Sequence, residues 1–357
     1  MAVDRAKEFT GTQEVRDAHR FEVGRLEEYM QDHVEGFSGS LQVSQFKGGQ
    51  SNPTYKLEAG GKKYVMRRKP PGELLKSAHA VDREYRVITA LGQTDVPVPR
   101  TYALCEDESV IGTWFYIMDL VEGRIFWTPD LPEVEKDERR AIYEGMVDAF
   151  ARLHNVDYLK VGLEGYGKPS DYIARQIHVW SRQYRNSETE TIEAMDRLIE
   201  WLPENLPPDE GPSVVHGDFR LDNMIFHPTE PRVLAILDWE LSTIGDPLAD
   251  FSYNCMPYHL VKQANTTGLV EHDVADIGIP SEQDYIEMYC QRTGRDRIDN
   301  WDYYLAYNIF RLAAISQGIM GRVVAGTAAS AQAIESGKNA RPLGEKAWAL
   351  AQKIIAR

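Results

Sequence analysis

The sequence predicts an α+β protein in which a five-stranded antiparallel sheet with one inserted helix precedes a mainly helical region. Up to about residue 122, short runs of alternating apolar and polar residues are separated by glycine-rich turns, which is typical of a β-meander. Beyond Gly123, apolar residues recur mostly at helical spacing. We therefore expect two domains, residues 1–122 and residues 123–357.

The N-terminal domain is predicted to begin with an amphipathic helix from Asp17 to about Val34. A second helix, inserted after the third strand, ends before Pro97 and Pro99, which cannot continue it. This helix is AVDREYRVITAL, and the five strands are SLQVSQF, PTYKLEA, KKYVMRR, TYALCED and TWFYIMDL.

The C-terminal domain is predicted to contain helices near residues 134–154 and 171–186, and several more over 282–356. Between them, residues 214–238 carry short apolar runs that predict a hairpin. The most apolar stretch, residues 307–331, is interrupted by arginines and a glutamine, so it predicts buried helices and not a membrane span.

The composition argues against nucleic-acid and membrane partners and favours a reducing compartment. The net charge of −15 argues against a nucleic-acid partner. The first residues are polar, so no signal peptide is predicted, and no membrane partner is expected. The three cysteines, at positions 105, 255 and 290, have neither disulfide nor metal spacing, which favours a reducing cytoplasm. No run of the sequence indicates an oligomeric state.

The stretch VVHGDFRLDNMIF, residues 214–226, places Asp218 and Asn223 between apolar flanks. Asp238 follows the apolar strand VLAIL, 15 residues after Asn223, so a hairpin would bring all three side chains to one end. A carboxylate base and two separate oxygen ligands are what magnesium-dependent phosphoryl transfer needs. The alternative is a simple polar turn stabilised by Asx capping.

The pattern His216-x-Asp218-x4-Asn223, followed by Asp238 and the segment GDPLAD at 245–250, resembles the catalytic and metal-binding loops of aminoglycoside phosphotransferase-like kinases. These enzymes are relatives of protein kinases, and the resemblance covers roughly residues 20–350. It implies a protein-kinase-like two-lobe fold with ATP and Mg²⁺ as cofactors.

The resemblance also implies roles for these residues. Asp218 would be the catalytic base, Asn223 and Asp238 would hold magnesium, and Asp250 would brace the catalytic loop. Arg220 would occupy the place where protein kinases carry a phosphate-neutralising lysine, although it could instead be an ordinary surface arginine.

A kinase of this kind also needs a turn over the phosphates. The segment FKGGQSNPTYKL lies between the first two strands, and we expect its backbone N–H groups to contact phosphate, although a glycine hairpin can also be only a turn. The residues that would make these contacts are Gly48, Gly49, Ser51 and Asn52.

The third strand should carry a cation, and Arg67 is the choice, with Arg68 and Lys69 as alternatives. Glu84 lies on the apolar stripe of the inserted helix, where a carboxylate needs a positive partner, so we expect an internal Arg67–Glu84 pair. The alternative is a surface pair with a neighbouring helix arginine, which would contribute under about 1 kcal/mol.

The segment YIMDLVEG matches the hinge pattern of the family. Met118 would line the adenine pocket, and Asp119 C=O and Val121 N–H would reach the adenine edge. A strand that simply runs into a glycine turn is the alternative. The sequence does not distinguish ATP from GTP.

The segment YVMRRKPPGELLKSAHAVDREYRVITAL is similar to the kinase-like domain fused ahead of acyl-CoA dehydrogenase domains, and to its free-standing bacterial relatives. This likeness implies Mg-ATP-dependent transfer of the γ-phosphate to an alcohol hydroxyl of a small molecule, such as a hydroxyacyl-CoA or hydroxy acid. Arg311 and Arg322 are either contacts for an anionic acceptor or salt-bridged residues of the core.

Two further functions are open alternatives. One is an aminoglycoside or other metabolite kinase. Aminoglycosides are polycations, and the chain from Phe251 onward is neutral, with 11 Lys or Arg and 11 Asp or Glu, which lowers the case for such acceptors. The other is a non-catalytic nucleotide-binding module.

Overall fold

A computed structural model describes residues 10–48, 52–72, 79–262, 267–328 and 330–357. The chain divides into two compact units. The first unit comprises Met1–Trp127, Tyr158–Glu164 and Asp222–Ser242, and the second comprises Thr128–Asp157, Gly165–Leu221 and Thr243–Arg357. Two later segments of the chain therefore contribute to the first unit.

The first unit contains a six-stranded antiparallel sheet. All five predicted strands are present, and a two-residue strand adds a sixth at the edge, so that the strand order is β1-β2-β3-β4-β6-β5. The strands are β1 (Thr12–Gln13), β2 (Gln42–Phe46), β3 (Thr54–Ala59), β4 (Lys62–Arg68), β5 (Thr101–Cys105) and β6 (Phe115–Asp119).

The pairing of β3 with β4 follows from alternation and from the turn between them. Tyr55, Leu57 and Ala59 are buried while the residues between them are partly exposed, as expected of a half-buried strand. Gly60 and Gly61 both have positive φ, at 55° and 78°, which the two-residue turn of a tight hairpin requires. The register of the hairpin is therefore set at both its face and its tip.

The first helix of the first unit begins later in the sequence than predicted. The amphipathic segment from Asp17 forms a 3₁₀ turn, Asp17–His19, before the helix begins at Val23. The α-helices of this unit are α1 (Val23–His33), α2 (Val81–Leu91) and α3 (Glu108–Ile111). Leu26 and Met30 of α1 are fully buried in the core beside the sheet.

Two short antiparallel pairs replace the single hairpin predicted over 214–238. Strand β8 (Met224–Phe226) pairs with β9 (Val233–Ile236) in the first unit, as expected. The strand before it, β7 (Ser213–Val215), pairs instead with β10 (Thr243–Gly245) in the second unit. The hairpin prediction was wrong for β7 because the chain turns through Gly217, whose φ is 83°, before it reaches β8.

The second unit is mainly helical, as predicted. Its longest helix, α9, is buried on nearly all sides from Tyr303 to Phe310 and packs against α5, α7 and α11. The helices are α4 (Lys136–His154), α5 (Tyr172–Asn186), α6 (Glu193–Glu204), α7 (Pro247–Cys255), α8 (Glu282–Thr293), α9 (Trp301–Val324), α10 (Ala331–Gly337) and α11 (Ala340–Ile355). A further 3₁₀ turn of this unit is Met256–His259, whereas the turns Leu221–Asn223 and Trp239–Leu241 lie mostly or wholly in the first unit. Among the residues described, none of these helices combines the length and the apolar character that crossing a bilayer requires.

Helix α7 begins at a strong start signal within GDPLAD. The Asp246 carboxylate accepts hydrogen bonds from the N–H groups of Leu248 and Ala249, at 2.7 and 3.0 Å. Pro247 occupies the first turn, where its missing N–H costs nothing. Burial raises the pKa of Asp246 to about 6, although the two N–H groups oppose this rise.

We predict that Asp246→Ala lowers the free energy of unfolding by about 1–2 kcal/mol, because it removes the N-cap of α7. Asp246→Asn is the matched control, since its amide oxygen can accept the same two hydrogen bonds. Urea unfolding of both variants at neutral pH measures the difference. An equal loss in the two variants would contradict a capping role.

Candidate functional site

In the second unit, the loop after β7 is held by the buried carboxylate of Asp250 on α7. Asp250 accepts hydrogen bonds from the backbone N–H of His216 at 2.6 Å and of Gly217 at 2.9 Å. His154 also approaches this carboxylate, with Nε2 3.4 Å from Oδ2. Burial would raise the pKa of Asp250, but His154 and these donors lower it below its usual value. Asp250 is therefore an ionised anchor for the loop.

Asp218 follows this anchored turn. The Tyr253 hydroxyl donates a 2.6 Å hydrogen bond to its Oδ1, and Arg220 Nε lies 3.3 Å from the same oxygen. Burial would raise the pKa of Asp218, but Arg220 and then Tyr253 outweigh it, so the pKa is lowered. Asp218 is therefore a carboxylate at neutral pH, which is the state that a proton acceptor needs.

Two residues around this loop were not predicted from the sequence. Tyr253 holds Asp218, and Asn254 Nδ2 donates to the carbonyl of Phe219 at 3.0 Å. They lie three and four residues after Asp250 on α7, and positions at this spacing share a helix face. Because the family resemblance places Asp250 at the loop, this spacing could have identified Tyr253 and Asn254 from the sequence.

Arg311 of α9 also reaches the loop, where its Nη2 donates to the carbonyl of Gly217 at 2.9 Å. It is about nine-tenths buried, and within the described chain no carboxylate lies within ion-pairing distance of its guanidinium. The expectation that Arg311 is salt-bridged in the core was therefore wrong, since a backbone carbonyl and aromatic rings surround it instead.

In the first unit, Arg67 joins two carboxylates that are far apart in the sequence. Its Nε lies 3.1 Å from Glu84 Oε2, and its Nη2 lies 2.7 Å from Asp238 Oδ1. The other two candidate cations lie elsewhere: Arg68 lies beside the rings of Phe21 and Tyr55, and Lys69 lies over Trp114. The structure thus brings Arg67, Glu84 and Asp238 together.

Glu84 is almost fully buried and has two further partners. Asn52 Nδ2 donates to its Oε1 at 2.9 Å, and the Tyr116 hydroxyl donates to its Oε2 at 3.1 Å. Tyr116 lies directly opposite Arg67 across β4 and β6, so the sheet register places its ring at the pair. Burial raises the pKa of Glu84 to about 7, with Arg67 opposing the rise.

The predicted phosphate turn is described only in part. Gly48 ends one described segment, and Gly49 and Ser51 lie outside the described residues. Asn52 is fully buried, and its side chain contacts Glu84 and, at 3.0 Å, His79 Nδ1. Any contact of Asn52 with phosphate would therefore come from its backbone.

Asn223 and Asp238 come together at one end of the β8–β9 hairpin. The Asn223 carbonyl accepts a 2.8 Å hydrogen bond from the N–H of Leu237, the residue before Asp238. Asp238 has a φ of 65°, which is uncommon outside glycine and often marks a functional position. Amide and carboxylate oxygens are the hard donors that Mg²⁺ prefers, so this pair fits the ion.

Two protein donors would leave most of a magnesium shell to other ligands. Among the residues described, no group of three or more His, Cys, Asp or Glu side chains is placed to hold a metal ion. Magnesium sites that carry phosphates commonly use one or two protein oxygens in this way.

The predicted hinge residues are Met118 and Asp119 at the end of β6, and Val121 just after it. Met118 is buried and lies opposite Val65 in the sheet. Asp119 donates its N–H to the carbonyl of Arg100 at 2.8 Å, and its side chain accepts from the Tyr102 hydroxyl at 2.5 Å. Val121 is half-buried. Their adenine contacts stay predictions.

We predict that Glu84 makes stability depend on pH. Its pKa is about 7 in the folded protein against an ordinary 4.5, so the folded state binds this proton more tightly than the unfolded chain. The contribution is complete below about 4.5 and is lost as the pH rises through about 7. In Glu84→Gln this loss should be absent, whereas Glu58→Gln, on the exposed side of β3, should keep it. Urea unfolding between about pH 5 and pH 8 tests this, and parallel curves for wild type and Glu84→Gln would contradict it.

The chain matches known proteins over most of its length. The model of the phosphotransferase enzyme family matches residues 42–289. A crystal structure of a candidate aminoglycoside phosphotransferase from Ralstonia eutropha is 54% identical, with a TM-score of 0.88, and the match covers 94% of this chain and 99% of that one. A spectinomycin phosphotransferase solved with ADP and spectinomycin is 13% identical, with a TM-score of 0.59 over 93% of this chain and 99% of that one, and so shares the fold.

A relative from Mus musculus, acyl-CoA dehydrogenase family member 10, is 46% identical over 344 residues. The match covers 96% of this chain but only 32% of that protein, so the chain spans about a third of its length. Family model, relative and crystal structure agree with the kinase-like fold. The chain belongs to the phosphotransferase enzyme family.

Proposed function

We propose that this protein transfers the γ-phosphate of Mg-ATP to an alcohol hydroxyl of a small molecule. The observation that carries the proposal is the state of Asp218. A carboxylate kept ionised by Arg220 and Tyr253, on a turn anchored by Asp250, is suited to accept the proton of an attacking hydroxyl. Membership of a phosphotransferase family supports the same reaction.

In this proposal Asp218 orients the acceptor hydroxyl and takes up its proton as the oxygen attacks the γ-phosphorus. The bond from that phosphorus to the bridging oxygen breaks, and ADP leaves with the electron pair. Arg220, beside Asp218, would offset negative charge on the transferred group. Such transfer depends mainly on positioning and electrostatics.

The first unit would bind the nucleotide. Glu84 orients the guanidinium of Arg67, which would contact the ATP phosphates, while the segment that begins at Gly48 would add backbone N–H groups. Asn223 and Asp238 would hold Mg²⁺, which neutralises phosphate charge when bound. The ADP complex of the spectinomycin enzyme supports a nucleotide site in this fold.

For the acceptor we propose a hydroxyacyl-CoA or a hydroxy acid. The name of the mouse relative, which places a matching segment in an acyl-CoA dehydrogenase family protein, supports acyl-CoA chemistry. The three cysteines are free and buried, which favours a reducing compartment such as the cytoplasm. An aminoglycoside is the second candidate, since the similar Ralstonia protein carries that family name.

We predict that Asp218→Asn abolishes ADP release that depends on the acceptor. Losing a positioned base costs about 10² to 10⁴ in rate. The assay presents Mg-ATP with two acceptor panels, one of 3- and 4-hydroxyacyl-CoAs with their free acids, and one of aminoglycosides. Asp222→Asn, four positions along the same loop, is the matched control and should retain turnover.

The outcome separates the candidates. Turnover on the hydroxyacyl panel alone supports the proposed acceptor, and turnover on the aminoglycoside panel alone replaces it with the second candidate. ATP that raises the melting temperature without turnover on either panel would favour a non-catalytic nucleotide-binding module.

We also predict that Tyr253→Phe moves the acidic limb of the kcat/KM profile to higher pH. The Tyr253 hydroxyl lowers the pKa of Asp218, so its removal raises that pKa, and the base is protonated over a wider acidic range. Tyr258→Phe, whose hydroxyl binds the carbonyl of Pro280, is the control. An unchanged acidic limb would remove Tyr253 from the site.

A further inference from the structure

A cavity of about 560 Å³ in the second unit has no role in the site described so far. It lies between α5 and α9, and its volume is typical of small-molecule sites. One wall comes from Trp180 and Gln183 of α5, and the floor comes from Ala314, Gly318 and Arg322 of α9.

The floor of this cavity is formed by part of one face of α9, and an arginine lies at each end of that face. Ala314, Gly318 and Arg322 follow one another at four-residue steps, so their side chains share a face. Arg311 precedes Ala314 by three residues and continues that face. The 11 residue steps from Arg311 to Arg322 correspond to about 16 Å of helix.

The Arg311 end connects the cavity to Asp218. The guanidinium carbon of Arg311 lies 5.4 Å from the ring centroid of Trp180, in the cavity wall, and 5.0 Å from that of Tyr253. Tyr253 in turn holds Asp218. Arg311 Nε is buried and has no hydrogen-bond partner among the described residues. A positive, partly unsatisfied group therefore neighbours both the cavity wall and the tyrosine that holds the candidate base.

At the other end, the guanidinium of Arg322 is exposed at the cavity edge. Over the described ranges it makes no hydrogen bond or ion pair, in contrast to most arginines of this protein. A planar guanidinium in this state is suited to bind a carboxylate or a phosphate.

Gly318 keeps the middle of the floor open. Glycine inside a helix costs about 1 kcal/mol relative to alanine. A Cβ at position 318 would meet no atom within 4 Å, and the backbone there does not have positive φ, so neither packing nor conformation requires glycine. The absence of a side chain at position 318 leaves space above the apolar floor of the cavity.

We propose that this cavity binds the phosphate acceptor, and that the acceptor is an elongated amphipathic molecule. Its hydroxyl would lie at the Asp218 end, an apolar segment would lie along Ala314 and Gly318, and a carboxylate or phosphate would bind Arg322. This inference rests on the proposed phosphotransfer and adds the shape and charge of its acceptor.

Calorimetry with three ligands that carry a hydroxyl and an acyl group at opposite ends tests the cavity: 10-hydroxydecanoate, its CoA thioester and the neutral 10-hydroxydecanamide. Gly318→Leu should weaken binding of all three at least tenfold, without changing the Kd for ATP or lowering the melting temperature. Arg322→Gln should weaken the anionic ligands about tenfold, in line with a lost charge-assisted hydrogen bond, and should spare the amide. An effect on the thioester alone would identify a CoA phosphate as the anion, and an effect on the free acid would identify the carboxylate.

Two control variants match these changes. Gly24→Leu places the same side chain on α1, at a glycine that also has no atom within 4 Å of its Cβ. Arg182→Gln removes an exposed arginine of α5 that does not line the cavity. Both should bind all ligands as the wild type does.

The inference is overturned if the wild type binds none of the three ligands, or if Gly318→Leu and Arg322→Gln bind them unchanged. Failure of the proposed function has a different signature. Ligands that bind in the cavity, and are lost in Gly318→Leu, but never yield ADP would leave the cavity assignment standing and remove the phosphotransfer. Turnover that needs Asp218 but is unchanged in Gly318→Leu and Arg322→Gln would support the phosphotransfer and remove the cavity assignment.

Discussion

The candidate site of the second unit depends on one buried carboxylate. Asp250 accepts the N–H groups of His216 and Gly217, and buried backbone donors need such partners. Without it, the turn that presents Asp218 would lose two charge-assisted hydrogen bonds at once. Because Tyr253 lies three residues further along α7, the helix that fixes the turn also supplies the hydroxyl that holds Asp218.

In the first unit, the cation Arg67 has a structural role comparable to that of Asp250 in the second. Arg67 is paired with Glu84 and Asp238, and removing one member of such a buried group leaves a charge uncompensated. Under the proposed function, this arrangement also suits a protein awaiting its nucleotide. Arriving phosphates offer Arg67 new anionic partners, so Asp238 can give up the guanidinium and use its carboxylate for a metal ion, while Glu84 keeps the arginine oriented.

The sequence was informative where local periodicity carries the structure. The period of two in β4 put Arg67 on a defined face, and the helical stripe of α2 put Glu84 inside, so their pairing could be predicted. It was uninformative where pairing is non-local. The partner of β7 lies downstream of Asp238 at Thr243–Gly245, and nothing in three apolar residues shows which later strand they will join.

Contacts between helices could not be predicted from the sequence for the same reason. The sequence singles out Arg311 as a possible acceptor contact, but it does not show which residues Arg311 touches. Its contacts with Gly217 and Trp180 span 94 and 131 positions along the chain, and only the packing of α9 against its neighbours sets them. The same packing sets the cavity, whose volume no pattern of residues could indicate.

The charge around Arg311 bears on which acceptor the protein can use. The chain carries a net charge of −15, yet within the described residues no carboxylate lies within ion-pairing distance of Arg311, so its charge acts on Asp218 and on any group that binds beside Asp218. An ammonium group about 5 Å from it would be repelled by about 3 kcal/mol at an effective dielectric constant of about 20. Asp218 would attract the same ammonium group, so Arg311 reduces what a polycationic aminoglycoside gains from that carboxylate, whereas a neutral hydroxyl attached to an acyl chain is little affected by either charge. Screening by salt would weaken the repulsion little, because Arg311 is buried and bulk ions do not reach it. Under the proposed function, the charge of Arg311 therefore supports an acceptor that is neutral near its hydroxyl, and this argument does not use the likeness to acyl-CoA dehydrogenase proteins.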